Sequence, residues 1–310
     1  MAELELKNLL YDMKDPEGLV RDAELEYFSK LRALSEKICD SGNIRILLLA
    51  GPSASGKTTT ANILADMLQE RGKKSTVVSL DNFYRDSNDK KYPKLEDGTR
   101  DRESPYALDL DMLRGVIADI IAGREFDVPR YDFEKGIRAE LEHYSSYDGG
   151  CVIIEGLHAL NPIISNSFPK EKVLKVFVSV STNINDGNRR ILSGRRLRFV
   201  RRVVRDSIYR ATTAASTVAM WQKVLCGEDM YLYPFKKLAD VRFDTFHAFE
   251  PAVLKTYAEK LLTAELRGKS EYVNNIAKVL DIMPSYDSGV VPDTSLIREF
   301  IPGGVYEDLY

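Results

Sequence analysis

The chain has 310 residues, 44% of them hydrophobic and 29% charged, with a formal net charge of −3. That length suits one large domain or two modest ones, and the charge balance argues against a general nucleic-acid binder. Three widely spaced cysteines (Cys39, Cys151, Cys226) form no metal-ligand or Cys-x-x-Cys pattern, which suits free thiols in a reducing compartment.

The opening MAELELKNLLYDMKD is acidic and lacks the basic and apolar regions of a signal peptide. The longest apolar run, ILLLA, is far short of a membrane span. A cytoplasmic protein without a membrane partner is therefore expected. Spacing predicts a helix over residues 16–41, started by Pro16, carrying Leu25, Phe28, Leu31, Leu34 and Ile38, and stopped by Gly42. IRILLLA (44–50) reads as a strand, followed by a Gly/Ser loop and a helix ending at Gly72. STVVSL (75–80) is the next strand, and the polar, Pro/Gly-bearing residues 86–105 read as a mobile loop. A helix follows over 107–123, then two continuous apolar strands, CVIIEG (151–156) and LKVFVSV (174–180), of the kind buried on both faces. Residues 191–225 read as helical and rich in arginine, and 251–266 as a further helix before a looser tail.

Strands alternating with helices imply an α/β fold with a parallel sheet covered on both sides. The expected organisation is an N-terminal helical segment (1–42), a phosphate-loop domain (43–265) with an arginine-rich helical lid at about 186–225, and a C-terminal extension (266–310) packed on that domain.

GPSASGKT, Gly51 to Thr58, fits the pattern GxxxxGK[ST] between a strand and a helix, the context that gives this motif its meaning. Gly51 and Gly56 free the backbone to aim successive N–H groups at one anion, and the helix N-terminus adds its positive dipole end. Lys57 supplies charge to the outer phosphates and the Thr58 hydroxyl can ligate Mg²⁺. Nucleotide contacts are thus expected from Gly51, Ser53, Ala54, Ser55, Gly56, Lys57, Thr58 and Thr59. The motif alone leaves open a hydrolytic switch or a kinase.

Asp81, at the end of STVVSL, lies on the sheet edge where ligands bind, and can act as general base or merely cap the next turn. Tyr131 and Phe133 alternate onto one face of VPRYDFEKGIR, where they can sandwich a planar base or simply pack. Glu155, ending an apolar strand, is placed to support Mg²⁺. His158 close by reads as structural. The stretch from Arg189 to Arg210 carries nine arginines. Arg198, Arg202 and Arg205 share a helical face suited to closing over a triphosphate.

The ordered set GPSASGKTTTA, SLDNFYRD, VPRYDF, VIIEG and RRVVRD resembles the uridine/cytidine kinase branch of the phosphoribulokinase–uridine kinase family, over about residues 44 to 260. The later stretches MYLYPFKKLADVRFDT, FEPAVLKTYAEKLL and SLIREFIPGG resemble a bacterial uridine kinase-like subgroup. The resemblance implies ATP or GTP as donor, Mg²⁺, and a nucleoside acceptor whose 5′-hydroxyl is activated by Asp81. It places Tyr84 and Arg85 beside the acceptor, Glu103 on the ribose hydroxyls, Tyr131 and Phe133 around the pyrimidine, and Arg202, Arg205 and Arg210 on the lid. It also makes a homo-oligomer compatible with the chain, since tetramers are known in the family. Two positions depart from the pattern. Gly136 stands where the family usually has a base-reading histidine, and Thr212 where it has a further lid arginine. A kinase of a sugar phosphate or other small alcohol, and a nucleotide-dependent regulator or RNA-binding protein using the arginine segment, are the competing readings.

Overall fold

The computed structural model describes residues 2–133, 135–147 and 149–309. A short strand β1 (Glu3–Glu5) and helix α1 (Leu6–Asp12) precede the long α2 (Pro16–Asp40). Asp15 caps α2 by accepting from the Gly18 amide, and Pro16 sits in the first turn, where its missing N–H has no partner to lose. Next come β2 (Ile46–Ala50), α3 (Lys57–Glu70), β3 (Ser75–Ser79), α4 (Leu110–Ile121), β4 (Phe126–Asp132) and β5 (Ile137–Tyr144). They are followed by β6 (Cys151–Glu155), α5 (Pro162–Ser165), β7 (Val173–Ser179), β8 (Asn183–Asp186) and β9 (Arg189–Leu192). Two helices, α6 (Gly194–Tyr209) and α7 (Ala214–Tyr231), lead to β10 (Val241–Asp244), α8 (Glu250–Leu261), α9 (Ala264–Lys269) and α10 (Glu271–Ile282).

β10, β7, β2, β6 and β3 pair in that order, all parallel. Every residue of β2 and β6 is buried, as their unbroken apolar runs predict for strands covered on both faces. The two-residue side-chain alternation divides β2 between two cores. Leu47 and Leu49 join Leu31, Leu64, Val203 and Val253; Ile46, Leu48 and Ala50 join Leu113, Ile117 and Leu160. The parallel sheet ends its β2, β3 and β6 strands on one edge, and the cavity opens there.

Several elements differ from the expectation. Leu25 is 63% exposed. The buried face of α2 instead carries Val20, Glu24, Tyr27, Leu31, Leu34 and Ile38, a row that follows the helical period and leaves Leu25 outside. The segment expected to be helical from Ile191 begins as strand. β9 pairs antiparallel with β8 across a turn with Gly187 at φ +59°, and β1 adds in parallel on the other side of β8. The N-terminal segment is therefore not wholly helical. The helical run also breaks before Ala214, where Ala211 takes φ +46°, so α6 and α7 are separate helices. The C-terminal stretch is well packed. Leu296, Ile297, Phe300 and Ile301 are fully buried. Among the described residues no helix is long and apolar enough to cross a membrane.

Candidate active site

β2 ends at Ala50 and α3 begins at Lys57, so residues 51–56 must reverse the chain within one tight loop. Gly56 caps α3 at φ +82°, a left-handed conformation that suits glycine, and Ala54 also takes a positive φ, +55°. The loop is braced from behind. Thr245 Oγ1 donates to the Ser55 carbonyl at 2.8 Å, Arg198 Nη1 to the Ser53 carbonyl at 2.8 Å, and Arg201 Nη1 to the Ala54 carbonyl at 3.4 Å. Lys57 Nζ reaches the Pro52 carbonyl at 3.2 Å, and Arg202 Nη1 donates to Ser53 Oγ at 2.8 Å.

One cavity of about 800 Å³ opens beside this loop and gathers most of the predicted residues: Ser53, Ala54, Lys57 and Thr58, then Asp81, Tyr84, Glu103, Tyr131, Phe133 and Glu155, and finally Arg202, Arg205 and Arg210. Gly51, Ser55, Gly56, Thr59 and Arg85 are not among its lining residues. Asp81 sits in a 3-10 turn just past β3 and is exposed toward the cavity. Ser79 Oγ accepts from the Asp81 amide at 3.3 Å, fixing the turn, while the Asp81 carboxylate is left out of the capping.

Glu155 lies at the end of β6, only 4% exposed, and accepts from Ser79 Oγ at 2.7 Å and Thr58 Oγ1 at 3.4 Å. Burial pushes its carboxyl up to about 7 against the pull of Lys57. A buried carboxylate short of positive charge, touching a hydroxyl at the start of α3, fits a hydrated Mg²⁺ that shares its remaining sites with phosphates. Among the described residues no cluster of three or more His, Cys, Asp or Glu side chains could cage a metal alone. Glu103 is likewise pushed up to about 7, mainly by burial and partly relieved by Arg202. Its side chain packs so close over Gly227 of α7 that a Cβ there would come within 2.3 Å of the Glu103 Cβ.

The arginines of α6 divide. Arg198 and Arg201 are almost wholly buried, Arg198 in a fork with Glu228 (2.7 and 2.8 Å) and Arg201 in a fork with Glu250 (2.6 and 2.9 Å). Arg198, expected on the phosphate-facing row with Arg202 and Arg205, thus points inward. Arg202, Arg205 and Arg210 line the cavity and converge on the single carboxylate of Asp206, at 3.2, 2.8 and 4.0 Å. Repulsion from Arg205, followed by burial, lowers Arg210 to about 10. Burial, followed by the same Arg205 charge, lowers Arg202. This is a cationic cluster with room for a further anion.

On the acceptor side two expectations change. Arg85 does not line the cavity, because its guanidinium is engaged by Asp89 at 3.1 Å and by the Tyr106 carbonyl at 3.2 Å, where it holds the 86–105 loop. Tyr131 and Phe133 meet edge to face, centroids 5.0 Å apart and planes at 72°, with Tyr84 against both. Rings in direct contact leave no slot between them for a planar base, so they form a corner instead of a sandwich. Gly136 closes the hairpin at φ +68°, and its carbonyl accepts from the Ser87 amide at 2.7 Å. A Cβ at Gly136 would lie 3.0 Å from the Ser87 side chain and on a left-handed backbone, so a histidine in this turn would be crowded and strained.

Sequence reasoning missed the partners that arrive from distant elements. Glu228 accepts from the Ser53 amide at 2.9 Å, and Glu299 accepts from the Thr59 hydroxyl at 2.9 Å and its amide at 3.4 Å. Glu228 lies in no quoted stretch, and Glu299, although inside SLIREFIPGG, has its contact with Thr59 set only by where the C-terminal turn packs. Ser79 could have been noticed as the polar residue interrupting an apolar strand beside Asp81.

A parallel sheet with a phosphate loop at its carboxyl edge, a buried acidic residue beside it and an arginine cluster above define an α/β kinase of the phosphate-loop class. A model of the phosphoribulokinase/uridine kinase family matches residues 46–249, and the chain belongs to that family. It is 27% identical to a uridine kinase of Deinococcus deserti over 216 residues, 69% of this chain and 94% of that protein. It is 25% identical to a uridine kinase of Halobacterium salinarum over 194 residues, 62% of this chain and 76% of that protein. A solved structure of a candidate fructose transport system kinase from Silicibacter sp. TM1040 shares the fold at a TM-score of 0.50 and 18% identity, covering 69% of this chain and 98% of that one.

Proposed function

We propose that the protein transfers the γ-phosphoryl group of ATP or GTP, with Mg²⁺, to the 5′-hydroxyl of a nucleoside, with uridine or cytidine as the preferred acceptors. The observation that carries this reading is that Lys57, the Thr58–Glu155 pair, Asp81 and three arginines share one cavity. The uridine kinase relatives favour the nucleoside.

In this reading the loop amides and Lys57 hold the donor's outer phosphates. Mg²⁺ held by the Thr58 hydroxyl and backed by Glu155 would neutralise phosphate charge. Asp81 takes the proton from the acceptor hydroxyl as its oxygen bonds to the γ-phosphorus. The bond between that phosphorus and the bridging oxygen breaks, and its electron pair leaves with the nucleoside diphosphate. Arg202, Arg205 and Arg210 face the charge that spreads over the transferring group. Glu103, whose carboxyl burial raises to about 7, can donate to or accept from a ribose hydroxyl.

A second reading keeps the chemistry and changes the acceptor to a sugar phosphate or other small alcohol. The edge-to-face contact of Tyr131 with Phe133 and the closed turn at Gly136 favour it. The test is acceptor-stimulated release of ADP from Mg·ATP over a panel of nucleosides and sugar phosphates. Asp81→Asn is expected to lower kcat by roughly 10²–10⁴-fold with unchanged thermal stability, since a positioned base contributes that much and the side chain is exposed. Full activity in Asp81→Asn would remove the base assignment. Phe133→Ala should raise KM strongly for a nucleoside and little for a sugar phosphate.

A further inference from the structure

Gly227 is a glycine that its own helix does not require. It lies buried inside α7 with no left-handed φ, where glycine weakens a helix relative to alanine. What it permits is a close approach. A Cβ at position 227 would stand 2.3 Å from Glu103 Cβ and 2.5 Å from Glu103 Cγ, far inside ordinary carbon–carbon contact. Outside the helix, the three atoms nearest to that Cβ all belong to Glu103.

The same stretch of α7 is anchored on two sides. Tyr231 Oη donates to Asp101 Oδ2 at 3.1 Å, and Asp101 Oδ1 accepts from the amides of Glu103 and Ser104 at 3.1 and 3.2 Å. The backbone of the Glu103 turn is thereby fixed to the helix. Glu228, next to the glycine, accepts from the Ser53 amide of the phosphate loop at 2.9 Å and from both arms of the Arg198 fork. One turn of α7 therefore holds the donor loop through residue 228 and the acceptor turn through residues 227 and 231. Ser53, Glu103, Gly227 and Tyr231 all line the same cavity. With no side chain at 227 to keep it off, Glu103 rests on the bare backbone of α7, and its place in the cavity is gauged from there.

Resting on the phosphotransferase reading above, in which Glu103 meets the acceptor, we propose that Gly227 is a positioning residue for acceptor binding: its missing side chain seats Glu103 where the carboxyl can bond an acceptor hydroxyl. A side chain at 227 drives Glu103 and its turn off that seat while leaving Lys57, Asp81 and the Ser53–Glu228 bond in place. The loss then falls on acceptor affinity, and not on donor binding or the chemical step.

The experiment measures KM and kcat with Mg·ATP for uridine, cytidine and ribose 5-phosphate, and Kd for Mg·ATP by calorimetry, in the full chain carrying Gly227→Ala, Glu103→Gly or both. Gly227→Ala is expected to raise KM for the acceptor on the order of tenfold, the worth of one hydrogen bond. Its kcat and its Kd for ATP should each stay within about threefold, as when only acceptor binding is lost. In the Glu103→Gly background no side chain remains to be displaced, so adding Gly227→Ala should change KM by less than about twofold. An unchanged acceptor KM in Gly227→Ala, effects that multiply in the double variant, or an equal loss of ATP binding overturns the proposal. Should Gly227→Ala fail to fold, the double variant decides. It must fold with a melting temperature near that of Glu103→Gly, and if it does not, the clash is not with Glu103 and the proposal falls. If the wild type phosphorylates none of the three acceptors, the phosphotransferase reading fails and this inference with it. If it phosphorylates one of them and Gly227→Ala behaves identically, only this inference fails.

Discussion

Arg198 and Arg201 of α6, and Arg202, Arg205 and Arg210 of the same helix and its C-cap, are the same residue type with opposite roles. The first two are forked to glutamates that the chain itself supplies from α7 and α8, and they tie those helices to the back of the phosphate loop. The cavity arginines share one aspartate, Asp206, and repel one another. An arginine with its counter-charge built in is scaffold; a group of arginines with too few counter-charges is a binding site for an anion. The difference lies in the partners, not in the arginines.

The comparison breaks most visibly at Arg201. Arg201→Met leaves Glu250 buried without its partner and is expected to destabilise the protein by roughly 3–5 kcal/mol, measured by chemical denaturation. A double variant, Arg201→Met with Glu250→Leu, should recover much of that loss, because the lone buried charge is gone. If the single variant loses no stability, the buried fork is not structural. On the cavity side, Arg210→Ala should change unfolding free energy by no more than about 0.5 kcal/mol, as for an ordinary half-exposed side chain. It should nevertheless lower kcat/KM by about 10–100-fold, the worth of one charged hydrogen bond to phosphate. A loss of stability at Arg210 comparable to that at Arg201 would erase the distinction.

The carboxylates give the mildest test. Glu103 and Glu155 lack a forked arginine, and burial raises both to about 7. Their folded values lie above the ordinary carboxyl value of 4.5, so the folded state holds more protons than the unfolded state between pH 4.5 and about 7. Their contribution to stability is therefore greatest at the acid end of that window and is lost as pH rises through it. The slope is at most about 1.4 kcal/mol per pH unit for each group. Denaturation at several pH values should show Glu103→Gln flattening this slope; an unchanged slope means that Glu103 does not titrate there.

What was legible in the sequence was what short segments specify. The motif GPSASGKT predicts the loop because its glycines, lysine and threonine act through adjacent backbone, and Asp81 and Glu155 follow because each ends a strand of recognisable apolar pattern. The illegible parts depend on packing between distant segments. Spacing put Arg198 with Arg202 and Arg205, since helical periodicity reports a shared face but not what Glu228 will place opposite it. Alternation put Tyr131 and Phe133 on one face, but the turn at Gly136 and the contact with Tyr84 set the angle between their rings. Glu299 falls in the quoted stretch SLIREFIPGG, but that stretch says nothing of its partner Thr59, 240 positions away.

That span also bears on the order in which the molecule is made. Closing a long loop costs conformational entropy, and native pairings between remote segments form slowly. The Ser53 amide meets Glu228 across 175 positions, and Thr59 meets Glu299 across 240. During synthesis the phosphate loop therefore emerges long before the residues that brace and cap it. Refolding should show the parallel sheet assembling first and the mature loop geometry arriving last, so that nucleotide affinity is acquired at the end of folding.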